Sequence, residues 1–250
     1  VLAAERQLDG FAERLEREGV RVVRPDPVDH RRRFSTPNWT CRGGLYSGMP
    51  RDLLMVVGDI IVEAPMSWRC RYNEIDAYRP LIKEYFRRGA RWLPAPRSQL
   101  TDELFDASYD PHADDEHADG LGGIPLFPRA RERYAITEFE PVFDAADFVR
   151  FVRDILVQRS HVTNELGIRW LEQAVGDDFT LHCVDVNDPH AMHIDATIVP
   201  LAPGKLLVNG ERFVTNELVA DWEIREAPRP TARRAGAGGS SRDSGSPPGR

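Results

Sequence analysis

One segment limits the possible folds more than any other. Leu53-Leu-Met-Val-Val57 and Ile60-Ile-Val62 are apolar and largely β-branched, and only Gly58-Asp59 separates them. Two strand-forming runs on either side of a Gly-Asp pair predict a β-hairpin. A helix is predicted from Ile75 to Arg88, with Tyr78, Leu81, Ile82, Tyr85 and Phe86 along one side and Gly89 closing it. Trp92-Leu93 then begins a short strand before Pro94-Ala-Pro96. Hairpin, helix, strand is a ββαβ order, not simple βαβ alternation.

The same order is expected near the other end. Ile198-Val199 and Lys205 to Val208 flank Pro203-Gly204 as a second hairpin, and Leu218 to Ile224 reads as a helix end entering a strand. Between and before these lie further predicted elements. Leu2 to Glu18 has Leu8, Phe11 and Leu15 at helical spacing and ends at Gly19. Val20-Arg-Val-Val23 reads as a strand stopped by Pro25-Asp-Pro27, and Asp29 to Arg42 as a loop. Ala146 to Gly167 is expected to be helical, Trp170 to Ala174 a short helix, and Thr180 to Val186 a strand. No repeat is visible residue by residue, so the repetition of ββαβ units is an inference from pattern alone.

The 250 residues, 41% of them hydrophobic, can bury one sizeable core or two smaller ones. A formal net charge of −7 argues against nucleic acid as a partner, because phosphate binding needs a basic surface. Arg31-Arg32-Arg33, Arg87-Arg88 and Arg233-Arg234 are short and scattered, and read as solvated faces. Cys41, Cys70 and Cys183 are odd in number and widely spaced, which fits neither a zinc site nor a disulfide framework and suits a reducing, cytoplasmic setting. No apolar run approaches a membrane span, and Leu2-Ala-Ala-Glu-Arg6 does not open a signal peptide. The first residue is Val, not Met, as expected of a chain that begins inside a longer reading frame.

Two polar segments read as loops or tails. From Asp106 to Arg131 the chain is acidic and rich in Gly and Pro, and its Asp110, His112, Asp114, Asp115, His117 and Asp119 match no metal-ligand template. Pro228 to Arg250 contains no apolar residue larger than Ala apart from Pro. It is expected to be disordered, with a vocabulary typical of GC-rich codons read out of frame. The expected organisation is thus one folded unit over residues 1–228 and a tail over 229–250.

Four segments carry candidate chemistry. Met49-Pro-Arg-Asp52 stands just before the Leu53–Val57 run, where an acid is either a turn residue or a ligand-binding group. Asp144 and Asp147 lie at a predicted strand-to-helix junction, where one could cap the helix while the other points into a site. His193 and Asp195 are two apart on a strand-like stretch and would share a face, functional or merely solvated. Arg212, after Asn209-Gly210-Glu211, suits either a carboxylate or an exposed turn. Asp52 and Asp195 could each offer a carboxylate edge to one planar cation in bidentate geometry. That arrangement leaves Asp144 to orient His193 as an acid–base group. His190, beside Ala191-Met192, is either close to that site or part of the turn at Asp188-Pro189.

Met49-Pro-Arg-Asp52, Glu63-Ala-Pro-Met-Ser-Trp68, Phe139-Glu-Pro-Val-Phe-Asp-Ala-Ala-Asp147, Gln158-Arg-Ser160 with Val162-Thr-Asn164, and Met192-His-Ile-Asp-Ala-Thr197 together resemble the amidinotransferase family. That family contains glycine amidinotransferase and inosamine-phosphate amidinotransferase, and the likeness runs from about Leu2 to Pro230. The resemblance implies an α/β fold, a five-bladed propeller of ββαβ modules shared with arginine deiminases, of which this chain would be part. It implies a ping-pong reaction without cofactor or metal, in which a Cys takes the amidino group of L-arginine, ornithine leaves, and a small amine acceptor receives the group. Asp52 and Asp195 would grip the guanidinium, with Met192 beside them. His193 would move protons, partnered by Asp144, and Arg212 would meet the donor carboxylate. A homodimer is implied as well. The family's nucleophilic Cys belongs near its C-terminus, past the point where the pattern is lost after Arg229. None of the three cysteines matches it, so this chain is expected to be inactive by itself. An arginine-binding fragment and a deiminase-like hydrolase are the other functions weighed.

Overall fold

The computed structural model describes residues 2–45, 47–105, 136–187 and 192–228. The first element is helix α1, Leu2–Arg17, which ends in the expected Gly19 turn at φ 81° and buries none of its residues. The stretch predicted as a strand at Val20–Val23 is irregular, because no neighbouring strand pairs with it among the described residues. Within the expected loop, β1 (Phe34–Ser35) and β2 (Thr40–Cys41) form a small antiparallel pair.

From Pro50 onward the chain is built as three units of hairpin, crossover and parallel strand, each a three-stranded sheet; the first two are full ββαβ units. The first starts with a one-turn helix α2 (Pro50–Leu53), then the antiparallel hairpin β3 (Leu54–Val57) and β4 (Ile60–Glu63) around Gly58 at φ 60°. A 3-10 turn, Glu74–Ala77, and helix α3 (Arg79–Arg87) return the chain to β5 (Arg91–Pro94), parallel to β4. Pro80, in the first turn of α3, divides this crossover from the single helix expected over Ile75–Arg88.

The second unit corrects the sequence reading. The long helix expected over 146–167 is not formed: a 3-10 turn, Ala145–Asp147, leads into the hairpin β6 (Phe148–Phe151) and β7 (Asp154–Val157), and helix begins only at Glu165. The turn between them is Val152-Arg153, with Val152 at φ 56°, the place Gly58 takes in the first unit. A β-branched residue rarely adopts that conformation, so the hairpin carries no turn signal in the sequence. Asp144 and Asp147 therefore precede a strand, not a long helix, and Asp144 caps nothing with its side chain. Helix α4 (Glu165–Val175) then crosses to β8 (Thr180–Cys183), parallel to β7. Asn164 caps α4 by accepting from the Gly167 N–H at 2.8 Å.

In the third unit, β9 (Ile198–Ala202) and β10 (Lys205–Val208) form the expected hairpin around Gly204 at φ 71°. A single 3-10 turn, Glu217–Val219, replaces the crossover helix before β11 (Glu223–Glu226), parallel to β10.

The repetition absent from the residues is present in the backbone. Arg91 N–H bonds Asp59 C=O, Thr180 N–H bonds Arg153 C=O and Glu223 N–H bonds Gly204 C=O, each at 2.9 Å. Likewise Ala64, Gln158 and Asn209 donate to Leu53, Asp147 and Thr197. These bonds put the residue just before each first strand at an equivalent place. The apolar core follows the same series. Leu53, Val57, Val62, Phe143, Phe148 and Leu171 fill the space between units one and two, and Phe151, Leu156, Ile194, Ile198 and Leu206 that between two and three. No described helix is long and apolar enough to cross a membrane. The acidic segment from Asp106 onward, His190 and the tail lie outside the described residues.

Candidate active site

Each unit enters its first strand through one helical turn: α2, Ala145–Asp147 and Ile194–Ala196. The first turn packs on the second and the second on the third. This packing gathers the acids of three distant segments. His193 and Asp195 are consequently not on the strand that the sequence predicted. They flank and enter a 3-10 turn, with His193 extended at its start.

The central group is His193. Its Nε2 lies 3.2 Å from Asp144 Oδ2, and its Nδ1 lies 3.8 Å from Asp52 Oδ1. Burial pulls this imidazole down, but the Asp144 hydrogen bond and the charges of Asp144, Asp147 and Asp52 outweigh it and raise its pKa to about 9. His193 is therefore an imidazolium at neutral pH. One oxygen of Asp144, Oδ1, is buried with no hydrogen-bond partner among the described residues.

Asp147 stands behind this pair and is fully buried. Gln158 Nε2, Ser160 Oγ and Thr163 Oγ1 donate to its carboxylate at 2.7, 2.6 and 2.5 Å. Thr163 Oγ1 also accepts from the Asp144 N–H at 3.3 Å, so Asp147 braces, through Thr163, the backbone of the acid that partners His193. Burial raises the Asp147 pKa to about 6 against the pull of His193 and these donors. Burial also raises that of Asp195, opposed by His193 and Arg51 and assisted by Asp52. Asp195 and Arg51 line a cleft of about 290 Å³ with Leu54, Met55, Phe148 and Ile198. Met192 is half-buried next to His193.

Two arginines complete the cluster, and neither was singled out from the sequence. Arg51 donates to the carbonyls of Ala145 and Phe148, tying α2 to the turn of the second unit. Arg71 lies on the turn Arg69–Arg71 and reaches Asp52, Asp144 and Glu74. Its i, i+3 spacing to Glu74 is the one signal in the chain that marks it as paired. Arg212 sits half-buried in the turn after β10, its N–H on Asn209 C=O at 3.0 Å, and its C=O accepts from Asn187.

The charges do not balance. Among the described residues, Asp52, Asp144, Asp147, Asp195 and Glu74 face Arg51, Arg71 and His193, with Arg150 lining the cleft beside Asp195, five acids against four cations. Asp52, Asp144 and His193 offer atoms within 4.8 Å of one another, a set that could ligate a divalent ion. Arg71 Nη1 already bridges those same two carboxylates, so a dication there would meet a guanidinium at close range. A delocalised monocation on the Asp52–Asp195 side fits the excess charge better.

The cysteines stand apart from this chemistry. Burial, with the nearby Cys41 and Glu74, pushes the Cys70 thiol up to about 12, and burial also raises Cys183. Cys41 donates to Gly43 C=O at 3.0 Å.

No protein-family model matches the chain. Individual relatives do. The L-arginine:L-lysine amidinotransferase of Pseudomonas savastanoi pv. phaseolicola is 47% identical over 228 residues, 91% of this chain and 59% of the relative. The mitochondrial glycine amidinotransferase of Danio rerio is 46% identical over 234 residues, 92% of this chain and 53% of the relative. Among solved structures, an amidinotransferase of the saxitoxin biosynthetic pathway from Microseira wollei superposes with a TM-score of 0.78 at 44% identity, covering 91% of this chain and 62% of that one. The inosamine-phosphate amidinotransferase of Streptomyces griseus gives a TM-score of 0.74 at 38% identity over 90% of this chain and 59% of that one. The chain thus spans between half and two thirds of the length of these relatives. With near-half identity along nine-tenths of its residues and the same fold in two solved members, the chain belongs to the amidinotransferase family.

Proposed function

We propose that this chain carries the donor half of an amidino-transfer site, which binds L-arginine and handles its protons on the way to an amine acceptor. The observation that carries the reading is the surplus of acids around His193 and Asp195, which calls for a planar cation. Asp52 and Asp195 clasp the guanidinium, each meeting a pair of N–H groups, with Met192 beside them and Arg212 on the donor carboxylate. His193, charged at neutral pH, gives a proton to the departing ornithine amine. As imidazole it then takes one from the acceptor amine, while Asp144 holds the ring. The covalent step needs a thiolate to receive the amidino group. Cys70 is too poor an acid for that task, and no role in it is assigned to Cys41 or Cys183. The chain alone is accordingly expected to transfer nothing. The three units are, in this reading, blades of a propeller.

Calorimetry of the 250-residue chain tests the donor site. L-arginine should release heat at neutral pH, and its neutral isostere L-citrulline should not. Asp52→Asn and Asp195→Asn should each weaken L-arginine roughly tenfold or more. Equal binding of both ligands, or affinity untouched in both variants, would refute the clasp.

A further inference from the structure

Arg71 sits in the middle of the cluster, where substrate handling alone does not account for it. Its side chain is 6% exposed, and Nη1 lies 2.9 Å from Asp52 Oδ2 and 3.4 Å from Asp144 Oδ2. Nε donates to Glu74 Oε2 at 2.9 Å, and the Glu74 side chain is itself fully buried. The two bridged acids come from different units, Asp52 from the helix before β3 and Asp144 from the turn before β6. The Asp144 oxygen that meets Arg71 is the one that accepts from His193. Two carboxylates this close, with no cation between them, would repel and share a proton. A planar guanidinium sets both their separation and their rotamers, because its donors point in fixed directions.

We infer that Arg71, anchored by Glu74, is a positioning residue that holds Asp52 toward the donor guanidinium and Asp144 against His193. This rests on the arginine-binding reading above. The sign of the effect separates positioning from bulk charge. Removing a cation from an acidic site, taken alone, tightens the hold on a cationic ligand. Weaker binding is therefore the signature of lost positioning.

The test uses the whole chain as Arg71→Met, Arg71→Lys and Glu74→Gln. Two readouts are taken: calorimetric affinity for L-arginine and the NMR titration midpoint of His193, which Asp52, Asp144, Asp147 and Asp195 surround. Arg71→Met should weaken L-arginine roughly tenfold or more and, by releasing Asp144 from the ring, lower the His193 midpoint, whereas loss of charge alone would raise it; Arg71→Lys should recover most of both. Tighter or unchanged binding in Arg71→Met overturns the inference. If Arg71→Met fails to fold, Glu74→Gln decides: several-fold weaker binding supports positioning, and unchanged binding overturns it. If the unmodified chain binds no L-arginine, the arginine reading falls. The midpoint then decides alone, and an unmoved or raised His193 midpoint in Arg71→Met sinks the role of Arg71.

Discussion

At His193 two opposing effects meet. Withdrawal from water favours the neutral ring, and three nearby carboxylates favour the charged one. The carboxylates win, and the outcome can be measured directly. NMR titration should place the His193 midpoint near 9, and Asp144→Asn should lower it by roughly one to two pH units. A midpoint near the ordinary value of 6.5 in the unmodified chain would mean that the acids do not act on the ring. Most of this site was legible in the sequence. Asp52, Asp144, His193 and Asp195 stand beside small residues in short, distinctive motifs, and the structure gathers their segments. Arg51 and Arg71 were hardly legible: apart from the spacing of Arg71 to Glu74, nothing local distinguishes them from the solvated arginines. Asp147 was half legible: its position suggested an N-cap, but only tertiary packing supplies Gln158, Ser160 and Thr163 as donors.

The hairpins show the same division at the scale of elements. Turns at Gly58 and Gly204 were readable because glycine marks a left-handed residue, whereas Val152 takes a positive φ at the position of Gly58 with no such mark. Val152 is 77% exposed, so replacing it removes strain without opening the core. Val152→Gly should stabilise the chain by about 1 kcal/mol in urea denaturation, and a loss of stability would contradict the turn geometry. Helix α4 makes the opposite prediction. A Cβ on Gly167 would stand 2.4 Å from the Val142 carbonyl oxygen, which is backbone and cannot swing aside. Gly167→Ala should cost about 1 to 3 kcal/mol, read from the same denaturation curves. The strand expected at Val20–Val23 failed for a different reason. Its apolar pattern is right, yet a strand exists only where a partner strand pairs with it.

Across the whole molecule, three units bring one helical turn each to a common cluster, and acids in the wrong numbers for neutrality follow. Such a cluster makes stability depend on pH. His193 has a folded pKa near 9 against 6.5 unfolded, so its contribution is complete below 6.5 and is lost as pH rises through 9. The loss is on the order of 3 kcal/mol. Asp147 acts in the same direction at lower pH, favouring the folded chain below 3.8 and losing that contribution as pH rises through about 6. Stability measured from pH 6.5 to 9.5 should therefore fall, and His193→Asn should flatten that slope.

The central claim is that acids at 52 and 195 close on a guanidinium beside the imidazole of residue 193. A crystal structure of the chain grown with L-arginine tests it most directly. The account predicts guanidinium density within hydrogen-bonding distance of both carboxylates, next to the His193 ring. Arginine bound elsewhere on the surface, with Asp52 still paired to Arg71 and His193 and Asp195 facing solvent, would contradict it.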